Sequence, residues 1–251
     1  YLRLIIAGAE RLRPELQQAF RVKFGKEIFE GYGCTETAPV ASVNTENVLL
    51  SDFLTMQVNT KSGTVGMALP GTQFLIVDPE TNEELPVGES GMILIGGCQV
   101  MEGYLKDPER TKNAFVMIDG NKFYRTGDKG YIDSDGFLTI VDRYSRFAKL
   151  GGEMVSLGAV EKFIQDLEIL DGFDYSVTTV ADEAKGERIV LLYQNMDKTP
   201  ADLLSELRAS GMPPLMIPSF AFQVENMPKL GTGKTDYMAA KKMAAELVAA
   251  R

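Results

Sequence analysis

The sequence has no histidine and no tryptophan among its 251 residues. Without an imidazole group, the chain cannot use Ser-His-Asp or Cys-His catalysis, and a metal site built on histidine is excluded as well. It has only two cysteines, Cys34 and Cys98, which is too few for a disulfide framework and indicates a reducing compartment. Any chemistry in this chain is therefore expected to proceed without a histidine-activated nucleophile.

Long apolar runs and an excess of positive charge are also absent. The apolar segments LRLIIAGA and MILIGG have the length of core strands and are too short to span a bilayer. The net charge of -9 argues against general binding of nucleic acid. With 45% hydrophobic and 24% charged residues, the composition is typical of soluble globular proteins. We expect a cytoplasmic protein, or one at the cytoplasmic face of the inner membrane.

The pattern of apolar runs and turn residues changes twice along the sequence, which predicts three structural parts. Residues 1–62 read as a strand, a helix and a strand, typical of the end of a parallel α/β layer. Residues 63–141 carry short apolar runs between turn residues, typical of a small antiparallel, β-barrel-like subdomain. Residues 142–251 are predicted to form a small, mobile C-terminal α+β domain with a hinge at Asp142-Arg143. The predicted fold class is α/β plus α+β.

Local signals set the expected element boundaries. Pro14 and Gly25 bracket one predicted helix, and Asp107-Pro108 starts another. Residues 121–142 are predicted to form a strand, a turn, a strand, a hairpin at Asp135-Gly136 and a strand, with Asp128 at a strand end. The other predicted elements are a strand at 26–30, helices at 157–167, 200–211 and 237–251, two strands flanking a turn at 183–187, and an extended strand at 212–226. The opening letters YLRLII indicate a core strand without a lead-in, so we expect the chain to be part of a longer polypeptide.

The stretch from 142 to 161, DRYSRFAKLGGEMVSLGAVE, separates the two kinds of pattern. It combines a basic segment with the double glycine Gly151-Gly152, and Ser156 is expected to open a helix. A charged hinge followed by a glycine loop is typical of two domains that move against each other. The alternative is an ordinary interdomain turn whose glycines only fit the backbone.

The segment GYGCTE offers three chemically distinct groups after a predicted strand. Tyr32, between two glycines, leaves a ring face open for stacking on a planar base. Thr35 offers a hydroxyl, and Glu36 offers a hard oxygen ligand for Mg²⁺. The alternative is a tight turn with a half-buried tyrosine.

Two further segments carry polar groups beside glycines. In YRTGD, Asp128 can accept two hydrogen bonds from a ribose diol, although an Asx-type turn explains it equally well. In LGTGKTDY, Lys234 lies in a glycine loop and is either a solvated charge or a group delivered to an anion. The loop is not a Walker A motif, because Pro228 occupies the position of its first glycine.

Together and in this order, these motifs resemble the adenylate-forming superfamily of acyl-CoA synthetases, peptide-synthetase adenylation domains and luciferases. GYGCTE is similar to the Tyr-Gly-x-Thr-Glu motif of that family, and YRTGDKGYIDSDG is similar to its Tyr-x-Thr-Gly-Asp motif. GESGMILIGGCQVMEGY, the stretch at 142–161 and PKLGTGKTDY resemble its barrel segment, hinge and terminal lysine loop. Within the superfamily, RFAKLGGEMVSL and the AGAE start resemble bacterial acyl-acyl carrier protein synthetases, including the synthetase half of the bifunctional 2-acylglycerophosphoethanolamine acyltransferase.

The resemblance implies a two-step reaction. A fatty acid carboxylate attacks the α-phosphate of ATP to give acyl-AMP and pyrophosphate, and a phosphopantetheine thiol then takes the acyl group. The implied nucleotide-binding residues are Gly8, Ala9, Glu10, Gly31, Tyr32, Gly33, Thr35, Asp128 and Arg143. The implied catalytic residues are Thr35, Glu36 and Lys234, with Glu36 also holding Mg²⁺. The implied acceptor-binding residues are Arg146, Lys149, Gly151 and Gly152.

Two departures from the family pattern matter. The Ser/Thr/Gly-rich phosphate loop of the family has no counterpart in this chain, so we expect the chain to need a missing N-terminal part for activity. That missing region is also where a membrane association would arise. Arg146 stands where many members carry an acidic residue, and with Arg143 and Lys149 it forms a basic cluster. The cluster is either a solvated face or a dock for acidic acyl carrier protein. The alternatives to acyl carrier protein ligation are a CoA-dependent synthetase and a non-catalytic nucleotide-binding module.

Overall fold

The computed structural model describes residues 2–10, 12–52, 54–182, 186–194, 197–231 and 233–250. The chain divides into two compact units, residues 1–143 and 144–251, and each is a mixture of helices and sheets. The mixed α/β class predicted from the sequence is therefore confirmed. Most of the predicted turn at 183–187 lies outside the described residues, as do Tyr1, Thr232 and Arg251. Within the described ranges, none of the helices combines the length and the apolar character needed to cross a membrane.

The first unit contains eleven strands and two helices among its described residues. In chain order they are β1 (Ile6–Ala7), α1 (Pro14–Phe24), β2 (Phe29–Tyr32), β3 (Ser42–Val43), β4 (Val48–Leu49), β5 (Met56–Gln57), β6 (Met67–Ala68), β7 (Thr72–Val77), β8 (Gly91–Gly97), α2 (Pro108–Ala114), β9 (Phe115–Ile118), β10 (Asn121–Ile132) and β11 (Leu138–Arg143). A short 3-10 helix, Thr35–Thr37, follows β2.

The first sheet of this unit has the strand order β1-β2-β3-β6, and its pair β1 and β2 is parallel. Helix α1 connects the two parallel strands, with Pro14 in its first turn and Gly25 at its C-cap with a φ of 61°. The strand predicted at 26–30 begins later, at Phe29, because parallel pairing with Ile6 decides where the ladder starts. The loops that follow β1 and β2 leave the sheet at the same edge.

The second sheet has the order β11-β10-β8-β7, with β9 added on β10, and all of its pairs are antiparallel. The turn predicted near Asp128 is wrong, because β10 runs on through it for twelve residues. Instead, the register against β8 shifts between Arg125 and Lys129, and Gly127 has a φ of 74°. A bulge of this kind bends the strand and re-aims its side chains without ending it.

The second unit is one sheet covered by helices on both faces. Its elements are β12 (Phe147–Leu150), β13 (Glu153–Ser156), α3 (Leu157–Asp166), β14 (Tyr175–Asp182), β15 (Gly186–Gln194), α4 (Pro200–Ala209), β16 (Phe220–Val224) and α5 (Tyr237–Ala249), after a 3-10 helix at Tyr144–Arg146. The strand order is β13-β12-β15-β14, and β16 pairs with β15 in parallel. The extended strand predicted at 212–226 shrinks to β16, since the prolines before it cannot donate to a ladder.

Strand β15 explains this layering. Ile189 and Leu191 point into a core shared with α3 and α4, whereas Val190 and Leu192 point into a core shared with α5. Successive side chains of a strand face opposite sides, so a strand that is apolar at every position needs a cover on both faces. Helix α5 therefore packs on the face of the sheet opposite to α3 and α4.

Candidate active site

The loops after β1 and β2 approach each other closely in the first unit. A Cβ on Gly8 would lie 3.3 Å from the carbonyl oxygen of Gly31, so the two backbone segments run side by side at this edge. Ala9 adopts a φ of 73°, a left-handed conformation that costs a non-glycine residue about 1–2 kcal/mol. Glu30 closes the edge by accepting a hydrogen bond from the N–H of Leu12 at 3.1 Å. Two of the predicted site segments are thus brought together.

Gly33 is required by backbone packing. A Cβ at this position would lie 2.0 Å from the carbonyl oxygen of Pro39 and 2.9 Å from the nitrogen of Ala41. The following turn is closed locally, since the N–H of Cys34 donates to the Thr37 hydroxyl at 3.1 Å. The glycine therefore lets the chain fold back tightly, and this presents the exposed Thr35 at the start of the 3-10 helix.

Asp128 is held against Tyr32 at the end of β2, although the two residues are far apart in sequence. The Tyr32 hydroxyl donates to one carboxylate oxygen of Asp128 at 2.6 Å, and Nε of Arg143 lies 3.0 Å from the other. The Asp128 side chain is only 9% exposed, whereas that of Arg143 is 66% exposed. Burial raises the pKa of Asp128 above its ordinary value, and the tyrosine and arginine contacts offset only part of that effect.

Tyr32 is fixed as a hydrogen-bond donor. Burial, followed by the adjacent Asp128 charge, raises the pKa of its hydroxyl well above the ordinary value. The ring also packs against the apolar core that contains Ala41, Ile93 and Leu138. The structure therefore brings Tyr32, Asp128 and Arg143 into one cluster, while the stacking of Tyr32 on a base stays a prediction.

Glu36 is oriented by a residue that the sequence analysis did not single out. The Tyr104 hydroxyl donates to Oε1 of Glu36 at 2.7 Å, and the Arg110 guanidinium lies 3.8 Å from the centre of the Tyr104 ring. The Thr111 hydroxyl accepts a hydrogen bond from the Tyr104 N–H at 2.9 Å. The only signal for Tyr104 is its place at the end of the quoted segment MEGY, which does not reveal the contact with Glu36.

The carboxylate of Glu36 suits one ligand position of a hard cation. Burial acts to raise the pKa of Glu36, but the hydrogen bond from Tyr104 and those from nearby groups lower it overall, so the group is ionised at neutral pH. In the described residues, no three acidic or cysteine side chains cluster as a metal cage. Mg²⁺ commonly uses one or two carboxylates together with substrate phosphates, so a single ionised glutamate fits that mode.

The neighbouring Cys34 is not poised as a nucleophile. Burial raises the pKa of its thiol, and its Sγ lies 3.6 Å from the Thr37 hydroxyl. A thiol rather than a thiolate is therefore present at neutral pH. The cluster in the first unit can bind and orient charged groups, and it offers no activated nucleophile of its own.

In the second unit, the double glycine forms the turn between β12 and β13. Gly151 and Gly152 have φ values of 60° and 100°, which favour glycine, and no described atom lies within 4 Å of a Cβ built on either. The strand before the turn is tied down by Glu187, which accepts the N–H of Lys149 at 2.9 Å and the Thr179 hydroxyl at 2.9 Å. Lys241 of α5 donates to the same carboxylate at 3.2 Å.

Two basic residues that the sequence places in the site, Arg146 and Lys234, have different surroundings in this unit. The side chain of Arg146 is only 14% exposed and forms an ion pair with Glu161 at 2.6 Å, so it is not part of an open basic face with Lys149. Lys234 lies in a small hairpin in which its carbonyl accepts the N–H of Leu230 at 2.7 Å. The neighbouring Lys229 and Thr235 pair as an antiparallel bridge.

Comparison with known proteins gives three results. The sequence profile of the family described as AMP-binding enzyme matches residues 1–105. 4-Coumarate–CoA ligase 1 of Petroselinum crispum is 36% identical over 187 residues, which cover 74% of this chain and 32% of the relative. 4-Coumarate–CoA ligase 1 of Glycine max is 31% identical over 237 residues, which cover 93% of this chain and 77% of the relative.

The chain belongs to the AMP-binding enzyme family. The fold agrees, because the crystal structure of ATP-bound MatB from Rhodopseudomonas palustris superposes with a TM-score of 0.77 at 27% identity. That match covers 98% of this chain and 46% of MatB, so the chain spans about half of that protein and about a third of the Petroselinum crispum ligase. The matched region, residues 1–105, includes the loops after β1 and β2. The finer resemblance of the chain to acyl-acyl carrier protein synthetases stays a prediction.

Proposed function

We propose that the chain forms the C-terminal part of a ligase that activates a carboxylic acid with ATP and passes the acyl group to a thiol. In the first step, a carboxylate oxygen attacks the α-phosphorus of ATP and pyrophosphate leaves. In the second step, the thiol sulfur bonds to the acyl carbon, the thiol gives up its proton, and AMP leaves. The family membership and the CoA ligases among the relatives support this reaction class.

One observation carries the proposal. The hydrogen bond between Tyr32 and Asp128 joins the last residue of β2 to the bulge in β10, at the edge where the two parallel strands end. Ligands of open α/β sheets bind beyond the carboxyl ends of parallel strands. We infer that Asp128 accepts hydrogen bonds from the ribose hydroxyls and that Arg143, largely exposed beside it, contacts the ribose or a phosphate.

The remaining roles follow from charge. Attack on phosphorus accumulates negative charge on oxygen, which positioned cations and donors stabilise without forming a bond. We assign that work to the Thr35 hydroxyl and to Lys234, whose role rests on its glycine-loop motif. Glu36 is the residue that would hold Mg²⁺, a cation that offsets phosphate charge when bound. No protein nucleophile is needed, in keeping with the protonated thiol of Cys34.

The acceptor is proposed to be a phosphopantetheine thiol that reaches the adenylate past Gly151 and Gly152. The names of the relatives favour CoA as its carrier. Acyl carrier protein, with a fatty acid as substrate, is the second candidate, and it is supported by the motif RFAKLGGEMVSL and the AGAE start. The ion pair of Arg146 with Glu161 weakens the argument for a basic docking face.

The rest of the polypeptide is proposed to cover the apolar surface of the first unit. Leu2 and Leu4 before β1, and Ile6 within it, are 70%, 47% and 48% exposed. On α1, Val22 and Phe24 are 76% and 56% exposed. An apolar edge of this kind is unusual at a free protein surface and typical of one that packs against further structure.

The test is ATP–pyrophosphate exchange by the complete protein, with acetate, medium-chain and long-chain fatty acids, and aromatic acids as substrates. We expect exchange with at least one acid class and its loss in Lys234→Ala. Thioester formation is then measured with CoA and with acyl carrier protein as acceptors. A protein that binds ATP but exchanges no pyrophosphate with any acid would instead be the non-catalytic nucleotide-binding module.

A further inference from the structure

Arg146 makes two contacts at once, directly before β12. Its guanidinium lies 2.6 Å from Oε2 of Glu161 and 4.1 Å from the centre of the Tyr237 ring. The side chains of Arg146 and Glu161 are 14% and 20% exposed, so the ion pair is largely shielded from water, whereas Tyr237 is 40% exposed. A lysine would not reproduce the pair, because only a planar guanidinium can stack on a ring and face a carboxylate at once.

The acidic partner is a fixed point of the unit. Glu161 belongs to α3, and its Oε1 accepts the N–H of Val177 in β14 at 2.9 Å. Its carbonyl accepts the Tyr175 hydroxyl at 3.1 Å. Arg146 is therefore attached to the packed helix and sheet rather than to a mobile side chain.

The aromatic partner lies next to the lysine loop, residues 228–236. Tyr237 is the first residue of α5, and the side chain of Asp236 caps that helix by accepting the N–H groups of Met238 and Ala239. The loop folds back on itself, with the Asp236 N–H donating to the carbonyl of Pro228 at 2.9 Å. Since three residues span at most about 10 Å, the position of Tyr237 restricts where Lys234 can be.

We propose that Arg146 is a positioning residue that fixes the lysine loop to β12, so that Lys234 and the Gly151-Gly152 turn move as parts of one body. This inference rests on the proposed function, because it gives Lys234 a role in the first half-reaction. It replaces the reading of Arg146 as a docking charge for a carrier protein. Its effect on the reaction passes through Tyr237 and the lysine loop.

The experiment uses the complete protein and measures pyrophosphate exchange and the melting temperature. Arg146→Gln and Tyr237→Leu each remove the stack, whereas Tyr237→Phe keeps the ring. Arg188→Gln is the matched control, because Arg188 also pairs with an acid and lies 5.7 Å from the centre of a phenylalanine ring in the same unit. Each variant is made alone and together with Lys234→Ala.

We expect Arg146→Gln and Tyr237→Leu to lower the kcat of exchange by roughly 10- to 100-fold, the scale of a misplaced catalytic group. Tyr237→Phe and Arg188→Gln should stay within about twofold of the parent, whatever their melting temperatures. On the Lys234→Ala background, assayed at a protein concentration high enough to measure its residual exchange, neither Arg146→Gln nor Tyr237→Leu should cause a further loss, because residues that act as one unit are not additive.

Other outcomes distinguish a failure of the positioning role of Arg146 from a failure of the proposed function. If Lys234→Ala abolishes exchange but Tyr237→Leu behaves like Arg188→Gln, the positioning role is refuted and the proposed function stands. Equal losses from Tyr237→Leu with and without Lys234 would show that the stack acts elsewhere, which also refutes the inference. If Lys234→Ala leaves exchange unchanged, the role of Lys234 in the proposed function fails first.

Discussion

Replacing Asp128 by asparagine removes a charge from the most buried group of the candidate site while keeping its shape. The side chain is 9% exposed, and burial raises the pKa of the carboxyl, so the folded protein carries this negative charge at a cost. An asparagine carbonyl still accepts the hydrogen bond from Tyr32. The Asp128→Asn variant therefore separates the charge of the residue from its packing.

The expected magnitudes differ for stability and for nucleotide binding. The lost contact with Arg143 is worth about 0–1 kcal/mol because the arginine is 66% exposed. Relief of the buried charge acts in the opposite direction, so the free energy of unfolding should change by less than about 1 kcal/mol. A hydrogen bond from a ribose hydroxyl to a carboxylate contributes about 1.5–3 kcal/mol, so the KM for ATP should rise by roughly 10- to 100-fold.

The assay is urea unfolding together with ATP titration of pyrophosphate exchange. Asp128→Ala is the contrast, because it leaves the Tyr32 hydroxyl without its acceptor and should lower stability by about 1–3 kcal/mol more than asparagine does. An unchanged KM in Asp128→Asn would refute the assignment to ribose. Equal loss of stability in the two variants would refute the argument from burial.

Three further changes test neighbouring features. Tyr104→Phe removes the donor to Glu36, the proposed Mg²⁺ ligand, and should raise the Mg²⁺ concentration needed for half-maximal exchange by about 3- to 10-fold, on the scale of one typical net hydrogen bond, with Tyr131→Phe as control. Gly33→Ala forces a Cβ into the backbone and should destabilise by about 1–3 kcal/mol in urea, whereas Gly231→Ala, with open space around it, should stay within about 0.5 kcal/mol. Glu187→Gln should lower stability by about 1–2 kcal/mol at neutral pH. Because the pKa of Glu187 is lowered overall, this difference in stability should vanish as the pH falls below the ordinary glutamate value. A difference that stays constant with pH would contradict the reasoning.

The helix boundaries were predictable because helix signals are local. Pro14 and Gly25 bracket α1, Asp107 accepts the N–H of Arg110 at the start of α2, and Ser156 caps α3. Each signal involves groups within a few residues of one another, so one stretch of sequence contains both partners. The α/β class followed from the same local reading.

Contacts across long sequence distances were not predictable. Tyr32 and Asp128 are separated by 96 residues, and Tyr104 and Glu36 by 68. The motifs identified these polar groups singly, with the exception of Tyr104, and nothing in their spacing indicates which pairs meet. The sequence predicts a turn near Asp128 for the same reason. A glycine before an aspartate occurs in turns and in β-bulges alike, and only the pairing with β8 shows that this one is a bulge.

The pH dependence of stability offers a second check on Asp128 that needs no substrate. A raised pKa means that the folded protein binds this proton more tightly than the unfolded chain does. Between the ordinary aspartate value of 3.8 and the raised value, stability therefore falls as the pH rises, and it is flat with respect to this group above that window. Asp128→Asn lacks the group, so the stability of the variant relative to the parent should increase through the window. The measurement is urea unfolding of both proteins from about pH 4 to pH 7. A relative stability that decreases instead would mean that Tyr32 and Arg143 outweigh burial, and that the site favours the charged carboxylate before any nucleotide arrives.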